Sequence, residues 1–258
     1  MITEFFKPAT VAEAVELKRK NPDALFMAGG SWINSSRSGL NPEKAISVTG
    51  LNLTNIEKAN DVLSVGAAVT LQELADFPLT PKAVRENLMS FRNRNIRNQG
   101  TLAGAIAAKQ PAFQIIPLMI ALQAELILAN GKIVSVEEYV LGPSDDLILS
   151  VRLPLGAKAA SAKHSVTERG VCLVSVAAGI RNAETVLAIA QDGGKIERLH
   201  LIEQALKSRN ITDRDALARL ISENVDSFDD YRTSAEFKAY QIGVLLSDCL
   251  LSLAEEKE

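Results

Sequence analysis

Cysteine and histidine are scarce in this sequence, and their scarcity limits the metal chemistry that the chain can support alone. The 258 residues include two cysteines, Cys172 and Cys249, and two histidines, His164 and His200. Neither cysteine belongs to a C-x-x-C pair, so the sequence offers no iron–sulfur or structural zinc motif. We therefore expect no metal site, and any redox chemistry must use an organic cofactor.

An excess of one charge and long hydrophobic runs are also missing. The formal net charge is −3, and no cluster of lysine and arginine is dense enough to bind a nucleic acid backbone. The longest uncharged stretch, from Gln110 to Ala124, is too short to span a bilayer and predicts a buried core helix. The N-terminus has no apolar run typical of a secretory signal. We expect a soluble, cytoplasmic protein that binds neither nucleic acid nor membrane.

What the sequence does contain is an ordinary globular pattern, with 47% hydrophobic and 23% charged residues. Capping boxes that begin at Thr10 and Thr70 predict two helices. Asn130-Gly131, between two apolar runs, predicts a β-hairpin. Strands and helices are mixed along the chain, so the predicted fold class is α+β.

The C-terminal hundred residues are predicted to form a domain of their own. The small, polar stretch 156–162 indicates the boundary, and apolar strands are expected around 171–180, 185–189 and 196–201. Two helices are expected to close the chain, one after Thr212 and one after the capping box at Thr233. The last helix is predicted to have one apolar side, formed by Phe237, Tyr240, Val244 and Leu251.

Two loops of small residues attract a functional interpretation. The first follows the predicted strand 25–27 and reads Ala28-Gly29-Gly30-Ser31. Consecutive glycines after a strand expose backbone N–H groups that can bind the oxygens of a pyrophosphate, and a serine hydroxyl adds a donor. Taken alone, the loop is more often a tight turn after a strand.

The second loop runs from Arg97 to Ile106, where Gly100 and Gly104 allow close backbone approach and Thr101 offers a hydroxyl. A packing seam of small residues is its ordinary explanation. Neither loop fits G-x-G-x-x-G or the Walker A pattern, so a Rossmann site and a P-loop are both disfavoured.

Together, in this order and about seventy residues apart, the loops resemble those of the FAD-binding subunits of molybdenum hydroxylases, such as xanthine dehydrogenase and aerobic carbon monoxide dehydrogenase. That family has A-G-G-[ST/H] after a strand, then R-N-x-G-[ST]-[LIV]-G-G-N-I and S-D-x-x-P-x-L-L-A-L-x-A. The second region here matches at Arg97, Asn98, Gly100, Thr101, Gly104, Ile106, Pro117, Ala121, Leu122 and Ala124.

The resemblance extends over nearly the whole chain. The opening FFKPATVAEAVEL is similar to the family's first strand and helix, and VGAAVTLQEL is similar to its G-A-x-T-x-x-x-L segment. Near the end, DYRTSAEFK resembles the signature D-x-R-x-S-A-x-[YF]-[RK]. The implied architecture is an FAD-binding region of the vanillyl-alcohol-oxidase type at 1–155, with subdomains 1–57 and 58–155. A smaller α+β domain of the carbon monoxide dehydrogenase flavoprotein type follows at 156–258.

The resemblance also implies an FAD site but no acid–base catalyst. Gln114 aligns with the family's acidic residue, which hydrogen-bonds cofactor hydroxyls, and Lys163 or His164 lies near a basic residue that reaches the flavin in some relatives. The two loops would contribute Met27, Ala28, Gly29, Gly30, Ser31, Trp32, Ile33, Gly100, Thr101, Gly104 and Ala105.

The implied function is electron relay by an oxidoreductase subunit that is inactive on the organic substrate alone. Electrons would come from a molybdopterin-binding large subunit through an iron–sulfur subunit to FAD, and then pass to NAD(P) or another acceptor. Two departures, Ala105 in place of the motif's asparagine and Gln114 in place of its acid, support an alternative, a flavin-free scaffold subunit. A stand-alone flavoenzyme is disfavoured because no NAD(P) fingerprint or substrate domain is evident.

Overall fold

The computed structural model describes residues 2–167, 170–208 and 213–255. It has mixed helices and sheets, which confirms the predicted α+β class. The chain divides into two compact units that interleave along the sequence. Unit 1 comprises Met1–Thr80, Arg92–Ala108 and Glu125–Leu153, and unit 2 comprises Pro81–Phe91, Lys109–Ala124 and Pro154–Glu258. The division into domains at 155 and 156 stays a prediction.

The first sheet of unit 1 has three parallel strands in the order β1-β3-β2. The helix α1 begins where Thr10 Oγ1 accepts a hydrogen bond from Glu13 N at 3.1 Å, as the capping box predicts. It packs Ala14 against Ile46 of β3 in a buried apolar cluster. These elements are β1 (Glu4–Phe6), α1 (Val11–Lys20), β2 (Leu25–Met27) and β3 (Lys44–Ser47).

The second sheet of unit 1 has five strands in the order β4-β5-β8-β6-β7. Gly131, with φ +84°, forms the turn of the β6–β7 hairpin and confirms the Asn-Gly prediction. The strands are β4 (Ile56–Ala59), β5 (Val62–Gly66), β6 (Glu125–Leu128), β7 (Ile133–Ser135) and β8 (Ile148–Pro154). The helices are α2 (Leu71–Asp76), α4 (Arg94–Arg97), α5 (Leu102–Ala107) and α7 (Val136–Leu141).

Unit 2 is built on an antiparallel sheet in the order β12-β11-β10-β9. One face carries α6, every residue of which is buried, as predicted for the uncharged stretch. Gly179 of β10 permits this contact, because an added Cβ would lie 2.0 Å from the carbonyl oxygen of Ala121. The elements are α3 (Lys82–Met89), α6 (Ile115–Ala121), β9 (Lys158–Ser165), β10 (Cys172–Arg181), β11 (Glu184–Gln191), β12 (Ile196–Arg198), α8 (His200–Ser208), α9 (Arg214–Glu223) and α10 (Ala235–Glu255).

Two features of unit 2 differ from the sequence prediction. The strand expected at 196–201 ends at Arg198, and α8 begins at His200. The small, polar stretch 156–162 is largely strand, because its residues from Lys158 onward pair with β10. A helix was expected after Thr212, which lies outside the described residues, and α9 begins at Arg214 after the N-cap Asp213.

The predicted apolar side of α10 is wrong. Phe237 is 41% exposed and Tyr240 is 58% exposed. The buried side instead consists of Lys238, Ile242, Leu246, Cys249 and Leu253, which pack toward the sheet and α9. Within the described ranges α10 is long and apolar enough to cross a membrane by length and composition, and 39% of that apolar window is buried here.

Candidate functional site

The first loop, Met27 to Ile33, touches the second loop through backbone atoms of unit 1. A Cβ added at Gly29 would lie 1.9 Å from the carbonyl oxygen of Gln99, so only glycine allows this approach. Gly30 has φ +67°, the left-handed region that glycine favours. The structure therefore brings together the two loops that the sequence analysis singled out.

A second contact joins the loops at Ser31 and Gly100. Gly100 is buried, and an added Cβ would lie 3.2 Å from Ser31 Oγ. The carbonyl of Gly100 also accepts a hydrogen bond from Leu71 N at 2.8 Å, which fixes the second loop on the start of α2. The small side chains thus serve close packing as well as any ligand.

Thr101 and Gly104 form the start of α5. Thr101 Oγ1 accepts from Gly104 N at 3.0 Å, and a Cβ at Gly104 would lie 2.8 Å from that oxygen. Thr101 and Ala105 are buried, whereas Gly104 is exposed. The Thr101 hydroxyl is therefore engaged as a helix cap, and Gly104 presents bare backbone to solvent.

Arg97 anchors the second loop to α2 through a buried hydrogen bond. Its side chain is 6% exposed, and Nε donates to Gln72 Oε1 at 2.9 Å. Gln72 in turn donates through Nε2 to Asp76 Oδ1 at 2.9 Å. Gln72 lies between the ends of the capping box that begins at Thr70, and this position alone gives no sign that it supports a loop 25 residues away.

Unused hydrogen-bond donors mark the first loop. Within the described part of the chain, the backbone N–H groups of Gly29, Gly30 and Ser31 donate to no protein acceptor, and the Ser31 hydroxyl makes no hydrogen bond. The loop is half-buried to exposed. Three successive free donors suit an anion such as the pyrophosphate of a dinucleotide, so the first loop fits the cofactor that the resemblance implies.

Gln114, Lys163 and His164 all belong to unit 2. Gln114 is buried, and its Nε2 donates to Asn87 O at 2.8 Å and Ser90 Oγ at 2.6 Å. Lys163 Nζ donates to Ser90 O at 2.6 Å. Ser90 thus joins Gln114 to Lys163. Their assignment to the cofactor stays a prediction.

Lys163 and His164 are neighbours on β9 and therefore point to opposite faces of its sheet. Lys163 pairs with Ser175 and lies on the face that carries α6, since Gly179 of the same face contacts that helix. His164 lies on the other face, where its ring meets Phe237 edge-on at 5.5 Å between centroids. These two candidates cannot serve the same site.

The C-terminal signature forms a closed network of charges in unit 2. Asp230 accepts from Arg232 Nη2 at 2.7 Å and from Lys238 Nζ at 2.9 Å, and Arg232 also pairs with Asp192. Lys238 is 1% exposed and lies over the ring of Phe228 at 3.6 Å. The Arg232 hydrogen bond, supported by Lys238, holds the pKa of the Asp230 carboxyl well below its usual range. These residues fix the chain before α10.

Groups that could hold a metal ion or react as a thiolate are not evident. Within residues 2–167, 170–208 and 213–255 no three His, Cys, Asp or Glu side chains are grouped to bind a metal. Burial raises the pKa of the Cys249 thiol to about 12, so this thiol is protonated at neutral pH. The candidate chemistry therefore rests on the two loops.

Several known proteins resemble this chain in sequence. Residues 1–156 match the family model for the FAD binding domain in molybdopterin dehydrogenase. The protein YgfM of Escherichia coli strain K12, which is uncharacterised, is 34% identical over 252 residues, covering 96% of this chain and 95% of YgfM. The caffeine dehydrogenase subunit beta of Pseudomonas sp. strain CBB1 is 24% identical over 281 residues, covering 98% and 95%.

Solved structures share the fold over nearly the full length. A chain of carbon monoxide dehydrogenase from Hydrogenophaga pseudoflava aligns with a TM-score of 0.85 at 22% identity, covering 97% of this chain and 96% of that one. A chain of quinoline 2-oxidoreductase from Pseudomonas putida 86 aligns with a TM-score of 0.83 at 19% identity, covering 99% and 98%.

These matches confirm the predicted fold type and FAD as the cofactor. The family match covers both loops, and the free donors of the first loop agree with it. The chain belongs to the family of FAD-binding domains of molybdopterin dehydrogenases, and it is an FAD-binding oxidoreductase subunit of the molybdenum hydroxylase family.

Proposed function

We propose that this chain is the electron-relay subunit of a molybdenum-containing hydroxylase or dehydrogenase complex. It accepts electrons from an iron–sulfur subunit, which receives them from a molybdopterin-binding large subunit, and delivers them to NAD(P) or another acceptor. The caffeine dehydrogenase relative, named as a subunit beta, supports a role within a larger enzyme. The single observation that carries the proposal is the row of free N–H groups at Gly29, Gly30 and Ser31.

The first loop holds the cofactor by backbone groups. The N–H groups of Gly29, Gly30 and Ser31 and the Ser31 hydroxyl are the donors for the pyrophosphate, and each hydrogen bond to a charged group contributes about 1.5–3 kcal/mol. Because Gly29 and Gln99 are already in contact, these donors are in place before the cofactor arrives, which lowers the entropy cost of binding.

The protein's role is binding and orientation, and bound FAD supplies the capacity to accept and donate electrons. No acid–base catalyst is assigned, because relaying electrons to an external acceptor does not require one from this chain. Both cysteines are buried thiols that form no disulfide, so neither is placed for exchange chemistry at the surface. Substrate choice belongs to the proposed large subunit.

A flavin-free scaffold on the same fold is the second candidate. Two observations favour it: Gln114 uses its amide nitrogen for protein acceptors, and Ala105 is buried where the family motif has asparagine. The scaffold role predicts the same partners and no retained flavin, so flavin content separates the two functions.

The test is the visible absorption spectrum of the purified chain, recorded before and after FAD is added and excess is removed by gel filtration. Relay requires retained flavin at about one per chain, consistent with one pyrophosphate site. No retention, even with the presumed partner subunits co-expressed, supports the scaffold role. Flavin that is retained but is not reduced when substrate is added to the assembled complex would exclude electron relay.

A further inference from the structure

Gln114 is a hydrogen-bond donor in this structure, although the family resemblance suggests an acceptor at this position. Its Nε2 donates to Asn87 O at 2.8 Å and Ser90 Oγ at 2.6 Å, and the side chain is 4% exposed. Both acceptors belong to the end of α3, where helix carbonyls lack partners within the helix. The Asn87 carbonyl therefore has two donors, the Gln114 amide and the Ser90 hydroxyl, which donates to the same oxygen at 2.9 Å.

The cluster around Gln114 links three elements of unit 2. Asn87 Nδ2 donates to Gln114 O at 3.3 Å and to Ser161 Oγ of β9 at 3.0 Å. Lys163, two residues further along β9, donates to Ser90 O at 2.6 Å. A cation at the C-terminal end of a helix interacts favourably with the helix dipole. The start of α6, the end of α3 and β9 are thus held at one point.

We infer that Gln114 is a positioning residue whose amide donor fixes the last turn of α3 and, through Ser90, the ammonium of Lys163. It is not an acceptor for a ligand hydroxyl. A carboxylate here has no proton to donate, and its charge faces the carbonyl oxygen of Asn87. The neutral amide in place of the family's acid is therefore a requirement of this chain's own packing.

The isosteric change Gln114→Glu tests this inference. In the ionised variant the Ser90 hydroxyl, which now donates to Asn87 O at 2.9 Å, can turn to the new carboxylate. Asn87 O then loses both donors. Protonation of the introduced carboxylate restores one O–H donor, so the defect must depend on pH.

The charges around residue 114 decide the size of this pH dependence. On the sheet face that carries α6, the charged residues are Lys163 on β9, Arg181 on β10, Glu184 on β11 and Arg198 on β12. Glu184 meets Gln123, which follows the end of α6, whereas Gln114 precedes its start. Glu184 also pairs with Arg198, and Arg181 is opposite it in the sheet.

Lys163 is therefore the charged side chain of that face at the Gln114 end. On α3, Arg85 and Glu86 are exposed. Lys163 favours ionisation of the carboxyl group introduced by Q114E, whereas burial and the Asn87 carbonyl disfavour it more strongly, so the pKa of that carboxyl is raised. Its proton stabilises the fold fully below the unfolded pKa, about 4.3, and this stability is lost as pH rises through the folded pKa.

The measurement is the Tm of the flavin-free full chain as a function of pH. At about pH 8 we expect the Tm of Q114E to be lower than that of the natural chain by roughly 5 °C. The gap narrows toward about pH 5. The control is Q204E, which adds the same charge at an exposed position of α8 and is expected to show no such gap.

Two further variants make the result decisive. Ser90→Ala removes one acceptor without adding a charge, so we expect a smaller loss that does not change with pH. Lys163→Met removes the favourable cation. We therefore expect the Tm difference at about pH 8 between chains with Glu and with Gln at position 114 to be larger when Lys163→Met is present in both. A Q114E chain as stable as Q204E at about pH 8, or a gap that stays constant with pH, would overturn the inference.

The claim about ligand hydroxyls rests on the proposed function and is tested by FAD titration. We expect Q114E to bind FAD no more tightly than the natural chain. Binding tighter by about tenfold with an unchanged Tm would identify position 114 as a ligand acceptor and overturn the inference. If neither chain binds FAD, the proposed function fails, and the Tm series still decides the role of Gln114.

Discussion

The two family motifs at opposite ends of the sequence use their polar groups in opposite ways. The first loop leaves the N–H groups of Gly29, Gly30 and Ser31 without a protein acceptor. The signature around Asp230 satisfies its charges internally, with Arg232, Lys238 and Asp192. A motif that keeps free donors at the surface is suited to a ligand, whereas one that pairs its buried charges within the protein is suited to holding the fold. Resemblance alone cannot separate these roles.

Among the changes that test this comparison, Asp230→Asn is expected to have the largest effect on the free energy of unfolding. The change leaves Arg232 and the buried Lys238 without their shared carboxylate, and removing one partner from a buried ion network costs about 3–5 kcal/mol of unfolding free energy. Urea unfolding measures this loss. FAD retention by the folded fraction should be unchanged, because Asp230 and the first loop belong to different units. Loss of flavin at full stability would contradict the division of roles.

Acid provides a second test of the Asp230 network. The pKa of the Asp230 carboxyl is lowered in the folded chain, chiefly by the Arg232 hydrogen bond. The stability that it contributes is therefore present above the unfolded pKa, about 3.9, and is lost as pH falls from there toward the folded pKa. We expect the Tm of the natural chain to fall more steeply below about pH 4 than that of Asp230→Asn. Parallel curves would show that the carboxylate is not stabilised by folding.

A comparable effect on cofactor affinity, with the fold largely retained, is expected from Gly29→Ala. The methyl group would lie 1.9 Å from Gln99 O, so the loops must separate and the free donors move. We expect FAD affinity to fall by about a hundredfold, near 2.7 kcal/mol. The control is Gly39→Ala, since an added Cβ at Gly39 meets nothing within 4 Å and only the positive φ there is unfavourable. Equal FAD loss in both variants would refute a specific role for Gly29.

A smaller effect is expected from Thr101→Val. This change keeps the side-chain shape but removes the oxygen that accepts from Gly104 N, and loss of an N-cap costs about 1 kcal/mol. The melting temperature should fall by a few degrees. Thr101→Ser restores the acceptor and should recover most of the loss; failure of serine to do so would indicate that the methyl group, rather than the cap, is important.

The smallest effect is expected from Asp248→Asn, which breaks the ion pair with Arg214 on the surface of unit 2. Both side chains are about half exposed, and water screens such a pair so well that it contributes little to stability. A Tm within error of the natural chain, beside the large loss for Asp230→Asn, would show that burial sets the value of these ion pairs.

Local signals in the sequence predicted much of the fold. The caps at Thr10 and Thr70 and the turn at Gly131 depend on neighbours within four residues, and all three are confirmed. Helix α8 was missed because the apolar run 196–201 reads as strand, although its pairing stops at Arg198. The buried side of α10 could not be read from hydrophobicity, because Lys238 is buried by the nonlocal network that includes Asp192.

The candidate site could be predicted from the sequence to a similar extent. The two loops were found from their small residues and order, and the structure joins them. The support of Arg97 by Gln72 and the donor role of Gln114 were not found, since their partners lie 24 to 27 residues away in sequence. Such distant partners decide whether a side chain donates or accepts a hydrogen bond, and an aligned motif does not show this.

The contact between Gly29 and Gln99 has a mechanical consequence. Gly29 follows β2 of the three-stranded sheet, while Gly100 is tied to Leu71 beside the five-stranded sheet. The two main chains therefore meet with no side chain between them, and this direct contact joins the two sheets of unit 1. A displacement of either loop is transmitted to the other, because no side chain lies between them that could change its rotamer. A side chain gained at position 29 would therefore displace both loops together.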